Sequence, residues 1–232
     1  MRISGFQKLT LLDYPNQIAA IIFTLGCNFR CGYCHNPEFV DPKLTKNVPL
    51  IPEEEIFKFL ENRKKLLDGV VISGGEPTIQ PDLIPFIKKI KALNYLVKLD
   101  TNGSNPHILE QLIKNKLIDF IAMDIKGNLK KYSEIVNVKI DTKLIKQSIE
   151  LIKKSGIDYE FRMTTLPLHH NEEDIKNIGE LIKNCNNFYI QNFRCHRTLN
   201  PKYQKEKSFQ NANLQKFAEI MKNYVKIVQI RD

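Results

Sequence analysis

Among its 232 residues the chain has no tryptophan, ten glycines and five cysteines. No apolar run approaches the roughly 20 residues that cross a bilayer, so a membrane-spanning protein is not expected. No proline- or glycine-rich linker, low-complexity tract or internal repeat breaks the sequence, and residues 1–232 are expected to form one domain. The opening stretch, MRISGFQKLTLLDYP, carries charge and proline where a secretory signal needs an apolar segment. Five cysteines, an odd number with three crowded into residues 27–34, do not make a secreted disulfide framework. A cytoplasmic protein with reduced thiols is the expectation.

Lysine, by contrast, is abundant. Lys plus Arg number 35 against 26 Asp plus Glu, a net charge of +9. Most of these lysines fall on segments of helical periodicity, as in Ile87-Lys88-Lys89-Ile90-Lys91, and read as solvated helix faces. No nucleic-acid partner is expected. The stretch from Lys126 to Lys154 is more one-sidedly basic and is a candidate docking surface.

Short β-rich apolar runs alternate with amphipathic segments almost to the end of the chain. Strands are predicted at 18–25, 69–73, 96–100, 120–125, 159–164 and 188–191, with a closing edge strand at 225–230. Helices are predicted at 53–66, 81–93, 106–117, 142–155, 171–184 and 211–224. Pro52 before three glutamates, Asn171 before Glu172-Glu173-Asp174, and Gly156 after Lys153-Lys154 are helix start and stop signals. Six β–α units with right-handed crossovers give an α/β fold, an open partial (β/α)6 barrel with parallel strands. In such a fold chemistry gathers in the loops at the C-terminal ends of the strands.

Five consecutive strand ends carry polar or metal-binding groups. The first is followed by CNFRCGYCHNP (residues 27–37) and the second ends in Ser73-Gly74-Gly75-Glu76-Pro77-Thr78. The next three carry Asp100-Thr101-Asn102-Gly103, Met123-Asp124-Ile125-Lys126 and Arg162. Cys31-Gly-Tyr-Cys34-His35 matches a haem-attachment pattern, but that would idle Cys27 and requires export. Zinc would ask adjacent Cys34 and His35 to bind one ion, which is sterically awkward, and would leave a closed site. A [4Fe–4S] cluster on three thiolates leaves one iron open to an exogenous ligand.

The C-x3-C-x2-C spacing after the first strand, with GGEP after the second, resembles the radical S-adenosylmethionine superfamily. FQKLTLLDYP, IIFTLGCNFRCGYCHNPE, GGEPT, DTNG and MDIK are similar to activating enzymes of glycyl-radical enzymes, particularly those of anaerobic ribonucleoside-triphosphate reductase in their pyruvate formate-lyase-activase-like form. Asn16 and Leu25 stand where that pattern has Gly and Gln. The resemblance implies that Cys27, Cys31 and Cys34 ligate one [4Fe–4S] cluster, whose open iron S-adenosylmethionine chelates. It implies further that Gly74, Gly75 and Glu76 meet the amino group, that Asp100 and Asn102 lie near the ribose and methionine parts, and that Tyr33 lies near the adenine. Asp124, Lys126 and Arg162 complete the polar wall, and a monovalent cation near Asp100 and Asp124 is a further expectation. The implied partners are a glycyl-radical enzyme and a low-potential electron donor such as flavodoxin or ferredoxin.

Other features have plainer readings. Cys185 and Cys195 are read as ordinary thiols, and His169-His170 as a surface loop opening a helix. His196, after the sixth strand, is a candidate to reach the adenine. Ser73 has no base partner in sequence, so nucleophilic hydrolysis has no support. The competing functions are another small radical enzyme, acting on a deazaguanine precursor or a peptide, and a non-catalytic metal-binding protein. The latter leaves GGEP and DTNG without a role.

Overall fold

The computed structural model describes residues 1–194 and 197–231. Cys195 and His196 lie outside the described residues. Among the described residues eight strands form one sheet in sequence order: β1 (Ile3–Thr10), β2 (Ala19–Thr24), β3 (Gly69–Gly74), β4 (Leu96–Thr101), β5 (Phe120–Asp124), β6 (Asp158–Thr165), β7 (Asn187–Asn192) and β8 (Ile227–Arg231). Strands β2 to β8 run parallel, and β1 pairs antiparallel with β2. The edge strands β1 and β8 do not pair with each other, so the sheet is a partial barrel, open on one side.

The six strands expected from periodicity are β2 to β7, and the closing run is β8. The antiparallel β1 is an addition, because its burial shows no period of two and its order comes from the ladder with β2. Among the described residues six helices of nine residues or more lie in the crossovers: α1 (Glu53–Glu61), α2 (Leu83–Ala92), α3 (Pro106–Lys114), α4 (Thr142–Lys154), α5 (Glu172–Leu181) and α6 (Asn211–Met221). Most stop before the predicted ends. Asn94, Lys116 and Asn184 take φ of 68°, 52° and 65°, left-handed residues that close the last turn as Gly156 does after α4. Asn171 caps α5 in a reciprocal capping box with Asp174.

Alternation along the strands sets two different faces. Outward residues such as Ile22, Ile72, Leu99, Ile121, Phe161 and Ile190 are buried under the helices in the main core. The inward face has two storeys. Tyr14, Ala19, Ile21 and Val71, with Phe23, Leu96 and Phe120 against them, close the base with apolar side chains. Above them, toward the C-terminal ends, Ser73, Asp100, Asp124, Arg162 and Thr164 line an open cavity. Asn16, at φ 60°, sits in the turn after Tyr14-Pro15, where Gln17 N–H donates to the Tyr14 carbonyl at 3.2 Å. Asparagine tolerates the left-handed conformation that glycine favours there. Among the described residues no helix is long and apolar enough to cross a membrane.

Candidate cofactor site at the barrel mouth

The cavity holds about 220 Å³ and its wall includes Cys27, Cys31, Cys34, Tyr33, Gly74, Gly75, Glu76, Asp100, Asn102, Asp124, Lys126 and Arg162. The twelve cofactor-site residues implied by the resemblance therefore meet at one place, although they come from five strand ends; His196 lies outside the described residues.

The three thiols are free, and among the described residues no three His, Cys, Asp or Glu side chains converge on a point that could hold one ion. Zinc needs every ligand within about 2.3 Å of one centre, whereas a cluster spreads its thiolates over several irons. Thiols ranged around a cavity suit the cluster. His35 does not join them: its Nε2 faces the Arg194 carbonyl at 2.6 Å and its ring stacks on Phe193 at 5.4 Å. That engagement commits Nε2 to the backbone rather than to a metal shared with Cys34. Burial pushes the Cys27 thiol up to about 12 and the Cys31 thiol up to about 11, and it raises Cys34 as well. Iron must therefore displace protons as it binds. Lys126 opposes the shift at all three sulfurs, which makes it the cation that faces the thiols.

The two glycines of GGEP serve the chain before any ligand. Gly74 has φ +115° and a Cβ there would lie 2.3 Å from the Thr24 nitrogen; a Cβ on Gly75 would lie 2.0 Å from the Gly26 carbonyl oxygen. They let the β3 loop press on the backbone that leads into Cys27. Gly75 N–H donates to the Thr24 carbonyl and Glu76 N–H to the Gly26 carbonyl. Glu76 itself is buried and accepts from Thr78 N–H (3.1 Å), Thr78 Oγ1 (2.5 Å), Thr101 Oγ1 (2.8 Å) and Asn102 N–H (2.6 Å). Burial pushes its carboxyl up against the pull of these bonds. Its visible work is to fasten the β3 and β4 loops together.

The opposite wall is ionic. The β5–β6 register sets Asp124 beside Arg162. Arg162 donates from Nε to Asp124 at 2.9 Å and from Nη1 to Asp100 at 3.4 Å, and Lys126 Nζ donates to Asp124 at 3.0 Å. Burial would raise the Asp100 carboxyl, but Arg162 and Lys98 hold it below the usual carboxylate range. Asp124 is likewise held down, against burial, by Arg162 and Lys126.

Lys98 and Glu160 were not singled out in the sequence, and Ser73 was weighed there only as a nucleophile. Lys98, 1% exposed, pairs with Asp100, and Ser73 Oγ donates to Asp100 at 3.0 Å. Glu160 receives both guanidinium nitrogens of Arg231, at 3.0 and 2.8 Å. The available signal was polar residues at i, i+2 and i+4 within apolar strands: Lys98/Asp100 and Glu160/Arg162/Thr164. His169 and His170 correct the surface-loop expectation, being buried at 7% and 3%. His170 Nδ1 accepts from Leu166 N–H at 3.2 Å, so Nε2 carries the proton and donates to the Lys126 carbonyl at 3.1 Å. Burial lowers its pKa to about 4, which keeps the ring neutral. Cys185 is fully buried with its thiol pushed up to about 12, an inert core residue. Tyr33 is buried, and its hydroxyl has no hydrogen-bond partner among the described residues.

An open parallel barrel with three free thiols, a glycine-bearing second loop and an ionic wall around one cavity defines a cofactor-binding enzyme scaffold. Comparison with known proteins agrees. Residues 21–182 match the model of the Radical SAM superfamily. A protein of Methanocaldococcus jannaschii assigned by name to the glycyl-radical enzyme activating enzymes is 37% identical over 234 residues, covering 99% of this chain and 95% of that protein. The pyruvate formate-lyase-activating enzyme of Clostridium pasteurianum is 29% identical over 192 residues, covering 80% of this chain and 78% of that one. Among solved structures, Streptococcus suis SuiB bound to S-adenosylmethionine superposes with a TM-score of 0.66 at 18% identity, over 91% of this chain and 52% of that chain. This chain thus spans about half of SuiB, and the likeness is one of fold. The chain belongs to the radical S-adenosylmethionine superfamily, which implies a [4Fe–4S] cluster and S-adenosylmethionine as its cofactors.

Proposed function

We propose that this protein activates a glycyl-radical enzyme, and that the partner is an anaerobic ribonucleoside-triphosphate reductase. The observation that carries the reading is the meeting of three free thiols, the GGEP loop and the Asp124–Lys126–Arg162 wall around one open cavity. The near full-length relative named for this activity supports it. A [4Fe–4S] cluster held by Cys27, Cys31 and Cys34 would supply the electron for reductive cleavage of S-adenosylmethionine, the chemistry that removal of a Cα hydrogen from a partner glycine requires.

The chain's own residues do the holding. Cys27, Cys31 and Cys34 give up their protons and ligate the cluster. Lys126, with one of its three N–H donors committed to Asp124, offers the others to a carboxylate. Arg162 adds positive charge on the same side. Asp100 and Asn102 face the ribose and methionine portions, Gly74 to Glu76 the amino group, and Tyr33 the adenine. Phe29 and Val40 on the wall keep water from the reacting centre. A monovalent cation beside Asp100 and Asp124 would compete with Lys98, Lys126 and Arg162 for the same oxygens. The reductant is an acidic flavodoxin or ferredoxin, drawn to a chain of net charge +9. The setting is the cytoplasm, and residues 1–232 act as one domain.

The test mixes the reconstituted protein with the candidate reductase, S-adenosylmethionine and reductant under anaerobic conditions. A doublet glycyl-radical signal in electron paramagnetic resonance is expected on the reductase. A reductase without that doublet, while 5′-deoxyadenosine accumulates, sinks the partner assignment and leaves the cofactor chemistry standing.

A further inference from the structure

Asn102 is held in a way that a ligand contact alone does not account for. Its backbone N–H donates to Glu76 Oε2 at 2.6 Å, and its Oδ1 accepts from Ser104 N–H at 2.9 Å. The second bond fixes the amide orientation, because only an oxygen can accept from a backbone N–H. The NH2 group must then point the other way. One of its hydrogens goes to Asn28 Oδ1 at 2.9 Å, and Asn28 Nδ2 passes the chain on to Ser104 Oγ at 2.7 Å. The other faces the Cys27 sulfur at 4.0 Å, the outer reach of an N–H···S contact. The same sulfur receives the Phe29 N–H at 3.4 Å.

The loop that carries this amide is fixed from both sides. Gly103 takes φ +72° and a Cβ there would fall 2.0 Å from Met123 Cε, so the turn closes tightly against β5. From α4, buried Ser148 Oγ donates to the Gly103 carbonyl at 2.7 Å. Asn102 is 6% exposed, so water does not compete for its amide.

We infer that Asn102 is a positioning and tuning residue for the metal centre: its amide donates a hydrogen bond to the Cys27 sulfur and thereby makes the cluster easier to reduce. Reduction adds one negative charge that is shared with the sulfurs, so an N–H dipole aimed at one of them stabilises the reduced form more than the oxidised form. This rests on the reading that Cys27 is a cluster ligand. It adds to the substrate-side place of Asn102 a coupling to the iron side. Through Glu76 and Asn28 the coupling ties the GGEP, DTNG and cysteine loops into one unit.

The experiment is a reductive titration of the reconstituted cluster without S-adenosylmethionine, followed by electron paramagnetic resonance, in wild type, Asn102→Leu and Asn102→Asp. Iron and sulfide are counted beforehand. Asn102→Leu keeps the bulk and loses the donor; Asn102→Asp keeps the acceptor for Ser104 N–H and loses the donor. We expect both variants to load iron as wild type does, with the one-electron reduction equilibrium about tenfold less favourable, which is 59 mV more negative. The carboxylate of Asn102→Asp lowers it further. A fully loaded variant with an unchanged potential overturns the inference, and so does loss of loading in both variants beside a loaded wild type. Wild-type protein that takes up no iron overturns the cluster reading itself, a distinct outcome.

Discussion

The base and the mouth of the partial barrel lie along one inward face, with Leu96 and Phe120 at the base four residues before Asp100 and Asp124 at the mouth, yet they obey opposite rules. At the base, Tyr14, Ala19, Ile21 and Val71 pack without a charge among them. At the mouth, Asp100, Asp124, Lys126 and Arg162 crowd charges together in a partly enclosed space. Burying charges costs several kcal/mol each before pairing returns part of it, whereas burying apolar surface is favourable outright. The base therefore contributes stability and the mouth draws on it, as a site preorganised for charged ligands must. Lys98 marks the boundary, with its ammonium 5.8 Å from the Phe120 ring centroid below and paired with Asp100 above.

The sharpest way to break this contrast is Asp100→Ala. It leaves Lys98 buried without its counter-ion and should cost about 4 kcal/mol in denaturant unfolding. Substitution by Asn, which keeps the bulk, should cost less. A loss below 1 kcal/mol for Asp100→Ala would mean that the mouth charges are not buried as described. A second test uses pH. Folded His170 stays neutral until about pH 4, while the unfolded imidazole takes a proton near 6.5. The unfolded state thus gains protons first as pH falls, and this group alone removes about 3 kcal/mol of stability between pH 6.5 and 4. Asp100 acts lower, since its depressed carboxyl contributes stability above about pH 4 that is lost on further acidification. A stability curve flat down to pH 4.5 would contradict the buried, neutral His170. The mildest change is at the base: Ile21→Val should cost about 1 kcal/mol and leave S-adenosylmethionine cleavage unchanged.

Much of the mouth was legible because strand-end position and residue chemistry coincide. The three cysteines, Glu76, Asp100, Asp124, Lys126 and Arg162 each follow or end an apolar run, and parallel topology brings such ends together. The reason for the glycines was not legible. Gly74 and Gly75 yield to the backbone of Thr24 and Gly26, about 50 residues earlier in the chain. His170 was misread for a related reason, since its partner Lys126 is 44 residues away. Strand β1 was missed because its residues alternate poorly and its order comes from the ladder with β2. Helix ends ran long because left-handed Asn and Lys stops look like any polar residue in sequence.

The central claim is that three thiols at the barrel mouth hold a cluster that cleaves S-adenosylmethionine. Its most direct test is 5′-deoxyadenosine formation by anaerobically reconstituted protein given S-adenosylmethionine and a strong reductant. Wild type should form it, and Cys31→Ala should form none. A wild-type protein with a full complement of iron that yields no 5′-deoxyadenosine, or a Cys31→Ala variant that still yields it, would contradict the account.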